Sequence, residues 1–230
     1  MNDFYSPSAN KLAINQFLVK TYYYMGFAVL VSALAAYLTL RLAPGLALST
    51  GFGWITFFIS LIIAFTFTHV TLKNAGLGMA MMLIFSVLEG MSLSSLAFAY
   101  TSSTITGAFI SASAIFIGMA FLGTTTKMDL TKFGPYLFVG LLGVIIVSLV
   151  NILLLKNTGL SFVLSLISVV IFTGYTAYDA QQAVRSYDRL SGYGISEESI
   201  AIINAFNLYL DFDNLFLNLL QIFGILSDNN

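Results

Sequence analysis

Residues Tyr136–Leu155 read YLFVGLLGVIIVSLVNILLL, twenty positions without a charge. As a helix this stretch is about 30 Å long, which matches the hydrocarbon thickness of a bilayer. The rest of the chain repeats the pattern. Of its 230 residues, 58% are hydrophobic and 8% charged, against roughly 25% charged in an ordinary globular protein. So few charges cannot cover the surface of a soluble protein of this size, so the apolar excess belongs in lipid. Net charge is −1, which leaves no basic surface for nucleic acid and no extended anionic one. Cysteine is absent, which removes disulfides and thiolate chemistry, and a single histidine makes a histidine-based metal centre improbable.

On either side of this stretch, polar residues cut the chain into seven apolar runs. They lie near Tyr22–Leu40, Trp54–Leu72, Leu77–Tyr100, Ile105–Gly123, Tyr136–Leu155, Leu160–Gln182 and Ser199–Phe223. The separators are short, and only Arg185–Glu198 reads as a loop of any size. The expectation is an all-α integral membrane protein: one seven-span domain over residues 1–230, with a short cytosolic segment at 1–20. The first run is too long for a signal-peptide core and lacks a cleavage-like site, so it reads as a retained span.

Basic residues set the orientation. Alternate loops beginning with the N-terminus hold Lys11, Lys20, Lys73, Lys127, Lys132, Arg185 and Arg189, whereas the opposite set holds Arg41 and Lys156. This places the N-terminus in the cytosol and the tail Ser227-Asp228-Asn229-Asn230 outside. Ser196 followed by Glu197 and Glu198 reads as a helix N-cap with acidic residues in the first turn.

Four acids fall inside the apolar runs: Glu89, Asp179, Asp211 and Asp213. Each costs at least a few kcal/mol in lipid and is expected to face a bundle interior or a watery cavity. In the last run Asn204, Asn207, Asp211, Asn214, Asn218 and Gln221 recur every three or four residues and share one helical face. In the sixth, Ser161, Ser165, Ser168, Tyr175, Asp179 and Gln182 do the same, with an apolar gap at Phe172. Two such stripes on consecutive antiparallel helices form a candidate hydrophilic seam; the plainer reading is a structural hydrogen-bond network. Two carboxylates brought together there cannot both ionise easily and can share a proton. When deprotonated they offer hard oxygen ligands suited to transient calcium.

Depth arithmetic opposes that pairing. Asp211 lies mid-run and Asp179 near the cytosolic end of its own, a mismatch of about 10 Å at 1.5 Å per residue. Glu89, mid-run in the third span, is the closer partner by this count. Asp213 sits roughly 200° round the helix from Asp211 and should leave the stripe. His69 reads as an interfacial residue. Gly107-xxx-Ser111 and Ala114-xxx-Gly118 read as close helix-packing contacts.

Tyr178-Asp179-Ala180-Gln181, followed by Leu208-Tyr209-Leu210-Asp211-Phe212-Asp213-Asn214-Leu215-Phe216, resembles the Bax inhibitor-1 family of membrane proteins. Thr125-Thr126-Lys127-Met128-Asp129-Leu130 and Leu88-Glu89-Gly90-Met91-Ser92-Leu93 are similar to two further segments of that family, in the same order. The resemblance covers nearly the whole chain. It implies a seven-helix bundle whose last helix is enclosed by the others. It also implies a pH-sensitive calcium leak channel gated by the pair that Asp179 and Asp211 match, with calcium as permeant ion and no cofactor. Asn207, Asn214, Glu89 and Asp213 are accessory candidates, and Lys73 is the nearest match to a basic residue that interacts with the pair in some members. Two departures stand out: Asp213 replaces an apolar residue, and the loop between the two aspartates is longer than in compact members.

Enzyme readings fit poorly. An intramembrane aspartyl protease needs Gly-x-Gly-Asp where this chain has Leu208-Tyr209-Leu210-Asp211, and a retinal protein needs a lysine after Lys156. The alternative from another class is a non-transporting regulator that binds another membrane protein, such as a membrane-bound quality-control protease.

Overall fold

In a computed structural model, residues 7–192 and 194–228 are described. They are helical almost throughout and include no strand, and seven helices among them are long and apolar enough to cross a membrane. We label the long helices α1 (Pro7–Leu42), α2 (Thr50–Lys73), α3 (Ala75–Leu93), α4 (Ser102–Thr125), α5 (Gly134–Val150), α6 (Thr158–Ser191) and α7 (Glu197–Asp228). Short helical turns at Pro44–Ala47, Leu96–Ala99, Leu130–Phe133 and Asn151–Leu155 complete the order. Asn229 and Asn230 of the tail assigned to the outside lie beyond the described residues.

Backbone groups in lipid must be satisfied within the protein, and the sequence supplies polar caps where its helices stop. Asn74 alone joins α2 to α3: its backbone is extended, and its Oδ1 accepts from Leu77 N at 3.0 Å. Thr101 caps α4 through Thr104 N at 3.2 Å, and Asn157 caps α6 through Leu160 N at 2.9 Å. Ser196 accepts from Ser199 N at 3.1 Å, with Glu197 and Glu198 in the first turn, as its sequence indicates.

The helices outrun the apolar runs that mark them. α1 begins at Pro7, ahead of Tyr22, and α6 continues to Ser191 through the segment expected to be a loop from Arg185. Only residues 192–196 separate α6 from α7, and of these Tyr193 lies outside the described residues. Hydropathy marks where lipid ends; a helix needs only satisfied peptide groups and suitable residues to continue into water.

The chain divides into two compact units: Met1–Ala99 with Ala183–Tyr209, and Tyr100–Gln182 with Leu210–Asn230. In the first, α1 and α2 pack on α3. Phe67 stacks on Phe206 with ring centroids 3.9 Å apart, and Phe85 meets Phe206 edge-on at 4.9 Å. A side chain at Gly90 would fall 2.2 Å from Ser32 O, so glycine is what lets α3 lie against the backbone of α1. Near the start of α7, buried Phe17, Ala183, Ile200 and Ala201 cluster, while Lys20 and Tyr24 of α1 both reach the Glu198 carboxylate.

In the second unit Phe109 and Phe116 of α4 meet Phe212 of α7 edge-on. The packing face of α4 runs through Ala108, Ala112, Phe116, Ala120 and Gly123. This corrects one of the two small-residue pairs chosen from sequence: Ala114 and Gly118 are exposed and nothing lies within 4 Å of a Cβ built on Gly118, whereas Gly107 and Ser111 are half-buried and a Cβ on Gly107 would lie 3.8 Å from the Phe223 ring of α7. Spacing alone does not say which of two small-residue rows faces a neighbour. At Gly123 a Cβ would lie 2.1 Å from Ala177 O, the closest α4–α6 approach that glycine permits here.

α7 differs from the other spans: 67% of its membrane-length stretch is buried, against 6–33% for the rest. It is also the span richest in amides and acids. A helix hidden from lipid can carry groups that lipid would reject.

Candidate functional site

Both polar stripes contribute to a seam within the second unit. Ser165 Oγ of α6 donates to Gln221 Oε1 of α7 at 2.6 Å. Further along the same two helices, the Asp179 and Asp211 carboxyls hydrogen-bond to each other. Asp211 is only 4% exposed, and its Oδ2 is buried without a partner in the protein, whereas Asp179 is half-buried. Tyr175, one turn before Asp179 on the stripe, stands beside both carboxyls. A hydrogen bond between two carboxyls requires a proton on one of them.

The depth objection fails for a specific reason. Asp179 lies 12 residues before the end of α6 at Ser191, and Asp211 lies 14 residues after the start of α7 at Glu197. At 1.5 Å per residue these are about 18 and 21 Å from the same end, close enough to meet. The larger mismatch came from measuring depth to the edge of the apolar run at Gln182, where the helix does not stop.

The other candidates divide. Asn214 and Asn218 turn back on their own helix, donating to Leu210 O and Asn214 O at 2.8 Å each. Asn204 and Asn207 fall in the first unit, where Asn204 donates to Ser186 Oγ at 2.8 Å, so the α7 stripe does not serve a single seam. Gln182 Nε2 donates to Tyr178 OH at 3.1 Å within α6. Asp213 is half-buried. Glu89 and Lys73 belong to the first unit, where Glu89 lies beside the Ser60 hydroxyl and Lys73 ends α2 exposed. His69 is exposed.

One residue beside the pair was overlooked as a working part. Gln181, 6% exposed, donates from Nε2 to Met128 O at 2.7 Å and accepts from Leu130 N at 2.8 Å on Oε1. Its amide thus brackets the α4–α5 connection as a strand neighbour would. Tyr178 helps from the same side of α6: a Cβ at Gly134 would lie 2.9 Å from the Tyr178 ring, so glycine at the start of α5 lets the two approach. Asp179 therefore sits between two positions that pin the α4–α5 connection to α6. The signal was present in sequence as Asp179-x-Gln181 together with Thr125–Leu130, two motifs read separately.

Seven membrane-length helices, with an acidic pair between the last two of which one carboxyl is buried and the other half-buried, define a polytopic membrane protein that keeps this pair away from lipid. The comparisons narrow this class. The family described as Inhibitor of apoptosis-promoting Bax1 matches residues 14–228. An uncharacterized protein of Rickettsia prowazekii, RP147, is 39% identical over 92% of this chain and 90% of its own. An uncharacterized membrane protein of Streptococcus pyogenes serotype M1 is 35% identical over 97% of this chain and 99% of its own. The inner membrane protein YbhL of Escherichia coli is 34% identical over 93% of each chain. The chain belongs to the Bax inhibitor-1 family.

Proposed function

We propose that this protein is a pH-sensitive calcium leak channel, gated by the Asp179–Asp211 pair, with its N-terminus in the cytosol and its C-terminus outside. The observation that carries the reading is the carboxyl–carboxyl contact between α6 and α7, with Asp211 buried and Asp179 half-buried within membrane-length helices, where an unpaired charge is costly. With one proton the pair is joined by a charge-assisted bond, stronger than a neutral one. Removing that proton leaves two like charges in low dielectric, which repel. Adding a second removes the charge that strengthened the bond. The tie between the helices is then tightest at intermediate protonation and loosens on either side.

Calcium competes with protons, because it binds deprotonated oxygens. Two carboxylates fall well short of the six to eight oxygens that calcium takes, so the pair would touch a passing ion rather than store one. The reading involves no catalytic step and no resident cofactor.

The test is calcium flux from proteoliposomes of the purified protein across pH 5 to 8, wild type beside Asp211→Asn. Asparagine keeps the face polar but removes the titratable group. Wild type should pass calcium with a pH dependence that the variant loses. Wild-type flux and pH dependence in Asp211→Asn would reject the pair as gate. No flux from pure wild-type protein would favour the non-transporting regulator, whose partner would be another membrane protein such as a quality-control protease.

A further inference from the structure

At the end of the second unit remote from the aspartates, α5, α6 and α7 enclose a polar pocket of about 100 Å³. Ser148, Asn151, Ser161, Ser168, Asn218 and Gln221 are among its lining residues, all within segments long and apolar enough to lie in lipid. This is room for several waters, and the walls supply the two to four polar partners each water needs. A second pocket adjoins it, sharing Asn151, Ile152, Ser161 and Gln221, and reaches the α5–α6 turn at Lys156, Asn157 and Thr158.

That turn is held open by construction. The last turn of α5 widens over Asn151–Leu155, and Lys156 takes a left-handed conformation at φ 48°. Buried Asn151 staples the result: its Oδ1 accepts from Asn157 N at 2.9 Å, and its Nδ2 donates to Ser161 Oγ at 2.8 Å. The pocket ends at Ser168. The next residue on that face of α6 is Phe172, 8% exposed, with its ring centroid 6.0 Å from that of Tyr175, which stands beside the aspartate pair. From Ser168 to Asp179 is about 16 Å along the helix.

We infer that this pocket is a hydrated vestibule, which brings water and small hydrated ions inward from the α5–α6 turn, and that Phe172 is the dry barrier separating it from the aspartates. An apolar constriction between two polar compartments blocks permeation by expelling water, with no need for a steric seal. Lys156 is the charged residue among the lining, at the mouth, where it biases arrival toward anions, so calcium leaving or entering here does so against that bias. The functional meaning of the barrier rests on the gate reading above, but the vestibule does not.

Because the chain has no cysteine, single substitutions report water access directly. The probes are membrane-impermeant methanethiosulfonates, one cationic and one anionic, applied to the full chain in proteoliposomes. They react with the thiolate, which an apolar environment suppresses, so Ser165→Cys should label at least about tenfold faster than Val170→Cys. Val170 is on the same helix, 72% exposed and away from the pocket. The anionic reagent should outpace the cationic one at Ser165→Cys, and Lys156→Gln should remove the difference. Tyr175→Cys should resist both reagents until Phe172→Ala is added.

Equal, slow labelling at 165 and 170 would overturn the vestibule. Ready labelling of Tyr175→Cys with Phe172 intact would overturn the barrier. Should Phe172→Ala not fold, Phe172→Leu keeps the bulk apolar and should keep Tyr175→Cys protected, whereas Phe172→Ser should expose it. Calcium flux is measured on the same vesicles. Labelling at 165 without wild-type flux leaves the vestibule standing and removes the leak, while flux without labelling removes the vestibule alone.

Discussion

Replacing Gln181 by alanine tests whether the residue beside Asp179 is a structural staple. The substitution removes two hydrogen bonds, to Met128 O at 2.7 Å and from Leu130 N at 2.8 Å. A backbone group left unsatisfied costs about 1–3 kcal/mol when buried. Met128 is 63% exposed, so water can replace part of what is lost, and the lower end of that range applies to each group. The expected total is about 2–3 kcal/mol. For a chain of this size that corresponds to a fall in Tm of about 4–12 °C.

Gln181→Glu should be no better, because a carboxylate still accepts from Leu130 N but faces Met128 O with a second acceptor. The assay pairs thermal unfolding in detergent with limited trypsinolysis, which reads the α4–α5 connection through exposed Lys127 and through Lys132. Both variants should unfold earlier and be cut faster at those lysines. A change below about 0.5 kcal/mol, the size of an ordinary surface substitution, with unaltered cleavage would refute the reasoning.

Gly123→Ala should destabilise by about 1–3 kcal/mol, because its Cβ would meet Ala177 O at 2.1 Å and force α4 from α6. Gly118→Ala on the same helix has open space and should be neutral or slightly stabilising in the same melt. Phe17→Ala, at a fully buried ring, should cost about 3–5 kcal/mol. Lys20→Met should cost about 0–1 kcal/mol, since the Lys20–Glu198 pair is a third exposed to water. In the flux assay Asp213→Asn should keep the wild-type pH dependence that Asp211→Asn loses; the reverse pattern would place the sensor at Asp213. Tags at the two termini should be accessible from opposite sides of the membrane in intact cells, and same-side accessibility would reject the odd-span topology.

Sequence alone determined the number, order and approximate limits of the spans, because a bilayer imposes one length and one solvent on every crossing. The start of α7 was legible at Ser196, where a short polar residue precedes two acids and an apolar run, since capping is local chemistry; the caps at Asn74, Thr101 and Asn157 are findings of the structure. The acids were legible as anomalies, because a carboxylate in lipid needs a reason wherever it lies.

Contacts between helices were decided by tertiary structure, since they depend on how far each helix continues and how it is rotated. Neither is a property of the apolar run. Asp179 meets Asp211 because α6 extends to Ser191, beyond the point where hydropathy ends the span. The buried row of α4 is Ala108–Ala112–Ala120–Gly123, with half-buried Gly107 and Ser111 beside it, whereas Ala114 and Gly118 are exposed, because rotation of the helix decides which small residues face a neighbour. Gln181 and Met128 are more than fifty residues apart, and Ser165 and Gln221 are on separate helices, so no local pattern joins either pair. Such partners become visible only when the fold brings a donor to an acceptor, which is why the stripes announced a polar seam without saying which members would hold each other.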